Sequence, residues 1–292
     1  MTAQQIPDLI PGSPEWLKVM TASKVSAVLG LSPWTSPYTL WQLMAGNEEP
    51  EAQTDVMARG HYLEPGIVAW FRDQHPEWDV VYPAGTWASV EQPWMVTNPD
   101  GLVGTGAVLE VKTDARGDEW GQSGTDQVPV WYRAQAMWGM AITGREVTHF
   151  AVLGPYLDMK EFVVEYDEDD AAFAIERAAA FLASIEAGTP PALDGHDSTY
   201  QSVRKLHPEI DRTLDVEISA DLARDFTEAL IDLEAAEVRA QHVKALVADA
   251  TGTGRRAVVG KKHIATRKAR NGGTPWIEAA RGLTKQPRGI AS

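Results

Sequence analysis

The sequence predicts an α/β fold, a central mixed β-sheet flanked by helices and followed by a helical C-terminal extension. Three observations carry that expectation. Residues 80–112 contain short β-branched and aromatic runs broken by turn residues, whereas residues 56–73, 130–142 and 167–187 show apolar residues at helical spacing. Strand-like stretches at 148–153 and 161–166 interleave with those helices, the alternation of an α/β domain. Beyond Gly188 the texture changes to Pro, Gly and polar residues, then to a long run rich in Ala, Leu, Glu and Arg. That change places two domains at 1–190 and 191–292.

Each element has its own justification. Residues 1–15 read as irregular because Pro7, Pro11, Gly12 and Pro14 interrupt them. Thr21 or Ser23 caps a short helix that carries Val25, Val28 and Leu29 and stops at Gly30. Pro33 and Pro37 bracket a turn before a helix over 38–45. The 56–73 helix aligns Leu63, Ile67, Val68 and Phe71, which places Glu64 on a helix. Strands at 80–82 and near 88–91 precede the turn Pro99-Asp100-Gly101, and 107–113 forms the next strand. Phe162, Val164 and Tyr166 alternate as in a half-buried sheet. The acidic start of the 167–187 helix complements its positive end. Residues 191–206 read as an exposed connector and 219–250 as one long helix. Residues 256–265 read as a small basic hairpin or extended strand.

The composition, 44% hydrophobic and 23% charged, is that of a globular chain, and the absence of cysteine excludes disulfides and thiolate metal sites. No apolar run approaches the roughly 20 residues that span a bilayer, so no membrane partner is expected. The first residues lack a basic segment followed by an apolar one, so a cytoplasmic location in a bacterial or phage-infected cell is expected. A net charge of −15 argues against whole-surface affinity for nucleic acid. The charge is uneven, however. Residues 255–292 hold ten Lys or Arg against Glu278, which puts that segment near +9 and the preceding 254 residues near −24. Lys261, Lys262 and Arg267 are therefore candidate DNA contacts.

The most informative local pattern is Asp100 followed ten residues later by Glu110-Val111-Lys112. On a strand, Glu110 and Lys112 share one face while Leu109, Val111 and Thr113 take the other. Asp100 reaches the same place if its strand pairs with this one. Two carboxylates and a backbone carbonyl suit magnesium, which binds phosphate and lowers the pKa of an attacking water. Lys112 could orient or deprotonate that water or offset charge in the transition state; an ordinary ion pair on an edge strand is the structural alternative. Tyr132 and Gln135, three residues apart on a helix, share a face and suit phosphate contact and support of Lys112.

These residues stand in an ordered set with Thr21-Ala22-Ser23, Leu29-Gly30-Leu31-Ser32-Pro33-Trp34, Gly60-x-x-x-Glu64-Pro65 and Val128-Pro129-x-x-Tyr132-x-x-Gln135. The set resembles the YqaJ-like viral recombinase family, the lambda-exonuclease-like branch of the PD-(D/E)xK nucleases. The resemblance implies a restriction-endonuclease-like core that uses magnesium, with manganese as a substitute. It assigns the metal to Asp100, Glu110 and the Val111 carbonyl, with Glu64 completing the water shell or a second site, Lys112 assisting the water and Gln135 supporting it. It further implies 5′-to-3′ digestion of double-stranded DNA from free ends, a homo-oligomer such as a trimer, and a single-strand annealing protein as partner. Ser23 lies in the matched Thr-Ala-Ser segment. Family members often carry an arginine just before that segment for a terminal 5′ phosphate; here Lys18 occupies the interval and supplies a point charge without the bidentate fork. An endonuclease with the same chemistry and a noncatalytic DNA-end-binding module are the competing readings.

Overall fold

The computed structural model describes residues 2–50, 54–117, 119–280 and 282–283. The chain divides into two units between Pro208 and Glu209. In the first unit the elements before the sheet are the strand Ala3–Ile6 (β1), the short helix Pro14–Leu17 (α1), the strand Met20–Thr21 (β2) and three helices, Ala22–Val28 (α2), Pro37–Met44 (α3) and Asp55–Gln74 (α4). Strands Val80–Val81 (β3), Thr86–Ser89 (β4), Met95–Thr97 (β5), Gly101–Val103 (β6) and Ala107–Thr113 (β7) follow. Helix Val130–Thr143 (α5), strands Val147–Leu153 (β8) and Met159–Glu165 (β9), and helices Glu168–Glu186 (α6) and Asp197–Leu206 (α7) complete it.

The larger sheet has the order β3-β6-β7-β8-β9 and is mixed: β7 and β8 run parallel, joined through α5, while the other pairs are antiparallel. Its two faces bury different helices because alternate side chains of β7 point opposite ways. Val108, Phe150 and Phe162 pack with Met137 and Met140 of α5. Leu109 and Ala151 pack with Ile67, Val68 and Phe71 of α4. The apolar face predicted for the 56–73 helix thus meets the sheet, and Glu64 is helical as expected.

Three segments differ from the sequence expectation. Residues 1–15 are not wholly irregular, since β1 pairs antiparallel with β4 in a second sheet of order β1-β4-β5-β2. Its ladder comes from a partner 80 or more residues away in sequence, so local pattern carries no signal for it. The strand expected near 88–91 lies at Thr86–Ser89, while Glu91 accepts two contacts from the Thr2 amide at 2.9 and 3.0 Å. Residues 191–206 are not an open connector, because α7 docks on α3 through hydroxyl groups. Ser198 Oγ accepts from the Ser36 amide at 2.9 Å, Thr199 Oγ1 donates to Ser36 Oγ at 2.6 Å, and Ser202 Oγ donates to Thr39 Oγ1 at 3.0 Å. A polar sequence is buried here by hydrogen bonding, which hydrophobic periodicity does not register. The first unit accordingly continues to Pro208, past the position at 190 where the texture changes.

In the second unit, Ser219 caps the 32-residue helix Ala220–Thr251 (α8), its side chain accepting from the Leu222 amide. Strands Arg256–Val259 (β10), Lys262–Lys268 (β11) and Trp276–Ala279 (β12) form an antiparallel sheet in that order. The helical extension is thus as expected, the basic hairpin expected over 256–265 is formed by β10 and β11, and β12 adds a third strand to it. Lys261 lies in the turn before β11, Lys262 opens that strand, and Arg267 faces Ile277 across the β11–β12 ladder. Arg281, Lys285 and Arg288 of the basic segment lie outside the described residues.

Candidate active site

The site forms where two paired strands part. β6 pairs with β7 only from Gly101↔Leu109 to Val103↔Ala107, so β7 continues past its partner over residues 110–113. The chain turns away at Pro99 and Asp100, and the Asp100 Oδ2 accepts a hydrogen bond from the Val111 amide, beyond the reach of β6, at 2.6 Å. Glycine fits the position beside it, where a Cβ at Gly101 would lie a tight 3.2 Å from the Val81 carbonyl oxygen and 3.3 Å from the Leu109 side chain. A strand end thus fixes Asp100 against β7.

Glu110 and Lys112 project together, as their shared parity requires. Lys112 Nζ donates to Glu110 Oε2 at 2.6 Å and stands 3.8 Å from Asp100 Oδ2. It also lies 5.4 Å from the centre of the Tyr132 ring, which stacks on Trp120 with 5.4 Å between centroids. Burial alone would lower the lysine, but the neighbouring carboxylates of Glu110 and Asp100 raise it above the ordinary range, and it is cationic. Burial pushes the Glu110 carboxyl up to about 7, with the lysine opposing and Asp100 adding to the rise. Glu64 is raised by burial and then by the charge of Asp100, while its hydrogen bond with Tyr82 opposes the shift.

A cavity of about 240 Å³ opens over this cluster. Asp100, Glu110, Lys112 and Gln135 line it together with Trp16, Thr21, Ser23, Thr86 and Asn98. Four sequence-predicted site residues and Ser23 therefore meet in one cavity. Glu64 acts on the cluster through charge, and the Tyr132 ring stands beside Lys112. Lys18 is exposed and is not part of the described cavity lining. Lys261, Lys262 and Arg267 belong to the second unit.

The profile of the YqaJ-like viral recombinase domain matches residues 15–146, a span that contains every side chain named above around the acidic cluster. Residues 15–146 are YqaJ-like. The chain is 27% identical over 236 residues to the uncharacterized protein YqaJ of Bacillus subtilis strain 168, covering 70% of this chain and 67% of that protein. Among solved structures, an alkaline exonuclease from Laribacter hongkongensis aligns with a TM-score of 0.48 at 23% identity, covering 68% of this chain and 100% of that one. A phage related exonuclease from Haemophilus somnus 129PT aligns with a TM-score of 0.47 at 9% identity, covering 58% and 94%.

Sequence reading overlooked one residue of the YqaJ-like domain that shapes the cavity wall. Lys24 is buried on α2, where it donates to the carbonyl oxygens of Trp16 at 2.5 Å and Val19 at 2.8 Å, with its nitrogen 3.6 Å from the Trp16 ring centre. Its position beside Val25 on the inward stripe of α2 was the available signal. Burial lowers the Lys24 ammonium to about 7. Between that value and the ordinary lysine range the unfolded chain binds one more proton than the folded one, so stability rises with pH, by at most about 1.4 kcal/mol per pH unit. Denaturant titrations across that window are expected to show this rise in the wild type and a flatter profile in Lys24→Met.

The donor set fits a hard divalent cation. Two carboxylates crowded enough to raise one of them, beside a backbone edge, are oxygen ligands whose mutual repulsion a cation relieves. The described residues contain no cluster of three or more His, Cys, Asp or Glu side chains arranged to hold a metal by themselves. An ion here would be held by Asp100, Glu110 and the Val111 carbonyl with water in its remaining positions, as magnesium prefers.

Proposed function

We propose that this protein is a magnesium-dependent DNA phosphodiester hydrolase, working as a 5′-to-3′ exonuclease on double-stranded DNA with free ends. The observation that carries the reading is the convergence of Asp100, Glu110 and cationic Lys112 in one cavity with Gln135 and Ser23. Asp100 and Glu110 would hold the magnesium ion, which would supply positive charge for a phosphoryl oxygen and acidify a water. Lys112 holds a proton-rich, positively charged nitrogen at the cavity, where it orients the attacking water or offsets the charge that develops on phosphate. Gln135 offers an amide to the same cavity. Ser23, whose hydroxyl is 3.1 Å from that of Thr21, offers a hydroxyl to the cavity. No described helix is long and apolar enough to cross a membrane, and a cytoplasmic setting with a homo-oligomeric enzyme and a single-strand annealing partner belongs to the same proposal.

The place of Lys18 outside the cavity supports a second reading, an endonuclease with the same chemistry, because the cavity wall then lacks the cation expected for a terminal phosphate. Linear and covalently closed duplex DNA, incubated separately with magnesium, distinguish the two. Degradation of the linear DNA alone is expected; rapid nicking of the circle would replace the exonuclease with the endonuclease.

Metal binding itself has a pH signature. Glu110 must ionise to serve as a ligand, and its carboxyl is raised to about 7. Magnesium affinity in the absence of DNA is therefore expected to increase as pH rises through that value, with proton release on binding. Calorimetry in buffers of different ionisation enthalpy checks both effects.

A further inference from the structure

None of the residues of α8 is buried, although its sequence is that of a helix made to be covered. From Leu222 to Val247 apolar residues recur at alternating intervals of four and three. This seven-residue repeat forms a continuous seam only when two helices wind around each other. Leu222 is 56% exposed, Phe226 64% and Leu233 56%. The seam spans about 39 Å of helix, enough for a stable pair.

We propose that α8 pairs antiparallel with α8 of a second copy of this chain. In the register we assign, Leu222 packs against the partner's Val247, Phe226 against its Val243, Ala229 against its Ala240, and Leu233 against its Ala236. Every seam position from Leu222 to Val247 is then matched: Leu222 and Phe226 meet valines, and Leu233 meets an alanine. The charged residues that flank the seam select this arrangement. Asp232 lies in its first half, and Glu237, Arg239 and Lys244 lie in its second. A parallel pair would set Asp232 beside the partner's Glu237 and Arg239 beside its Lys244, like against like. The antiparallel register sets Asp232 beside the partner's Arg239, twice by symmetry. Sliding it by one repeat would bring Arg239 against its own copy and Glu237 against its own copy. The contact is isologous and closes at two chains.

Charge exchange and cross-linking in the full-length protein test the pairing. Wild type is expected to sediment at twice the chain mass at micromolar concentration. Asp232→Arg or Arg239→Asp alone turns two attractive contacts repulsive and should weaken the dimer about tenfold or more, and the double exchange should restore it. In a parallel pair Asp232→Arg would instead strengthen association. Because the natural chain has no cysteine, Ala229→Cys and Ala240→Cys chains can be mixed under mild oxidation. A disulfide should form in the mixture and in neither variant alone. A monomeric wild type, a trimer indifferent to the exchanges, or an Ala229→Cys chain that cross-links to itself would overturn the proposal. Circular dichroism confirms that each variant keeps its helix, and none of these readouts depends on nuclease activity.

Discussion

Glu110→Gln is expected to cut DNA at least about a hundredfold more slowly than wild type while melting no lower. The two halves of that result have one cause. Glu110 sits where burial and the charge of Asp100 both oppose its ionisation, so the folded chain holds it at a cost that glutamine removes. Glutamine still offers an oxygen to Lys112 Nζ at the place of the present 2.6 Å contact. What it cannot offer is a charged ligand. Lys112→Met should lose activity to a similar degree but for a different reason, and with a different stability. It removes the cation from between two carboxylates, and the unpaired acids should lower stability by about 1–3 kcal/mol. Cleavage rates and urea denaturation of the two variants, measured side by side, separate a functional acid from an ion pair that only supports the strand. Equal activity of wild type and Glu110→Gln would assign the cluster to structure alone.

Trp138→Ala is expected to cost about 3–5 kcal/mol, the largest single effect on stability proposed for this chain. Trp138 is fully buried on α5 among Val25, Met95 and Ile142, and its Nε1 donates to the Val96 carbonyl at 3.0 Å. The substitution leaves both a cavity and a carbonyl without its donor. Trp138→Phe retains most of the packing and loses the hydrogen bond, so about 1–3 kcal/mol is expected. The consequence reaches function, since Val96 lines the same cavity as Glu110. Chemical denaturation gives the stability change; substrate KM in the phenylalanine variant gives its effect on the cavity.

The elements that hold the acidic cluster were legible because they obey periodicity. The strand predicted at 107–113 is β7, residue for residue, and its pairing with β6 brings Asp100 to Glu110 and Lys112 as the period of two requires. Helix α5 begins at Val130, where the sequence places it, and presents Tyr132 and Gln135 toward the site. The rest was hidden for identifiable reasons. β1 depends on a distant partner, and α7 is buried through Ser36, Thr39, Ser198 and Ser202 rather than through apolar surface. The cavity wall beyond the acids is made by Trp16, Thr86 and Asn98, which come together only when the second sheet forms. Lys24 is the sharpest case. Lysines are expected at the surface, yet this one lies inside, bonded to two carbonyl oxygens of the segment that carries Lys18. The nearer lysine in the sequence pattern is exposed, and the one that holds the wall is six residues further on.

The central claim, that Asp100, Glu110 and Lys112 hydrolyse DNA phosphodiesters, is tested most directly on a linear duplex labelled separately at its 5′ and 3′ ends. With magnesium, wild type should release the 5′ label first, as a mononucleotide, and chelation should stop the release. Intact duplex after incubation with either magnesium or manganese would contradict the account.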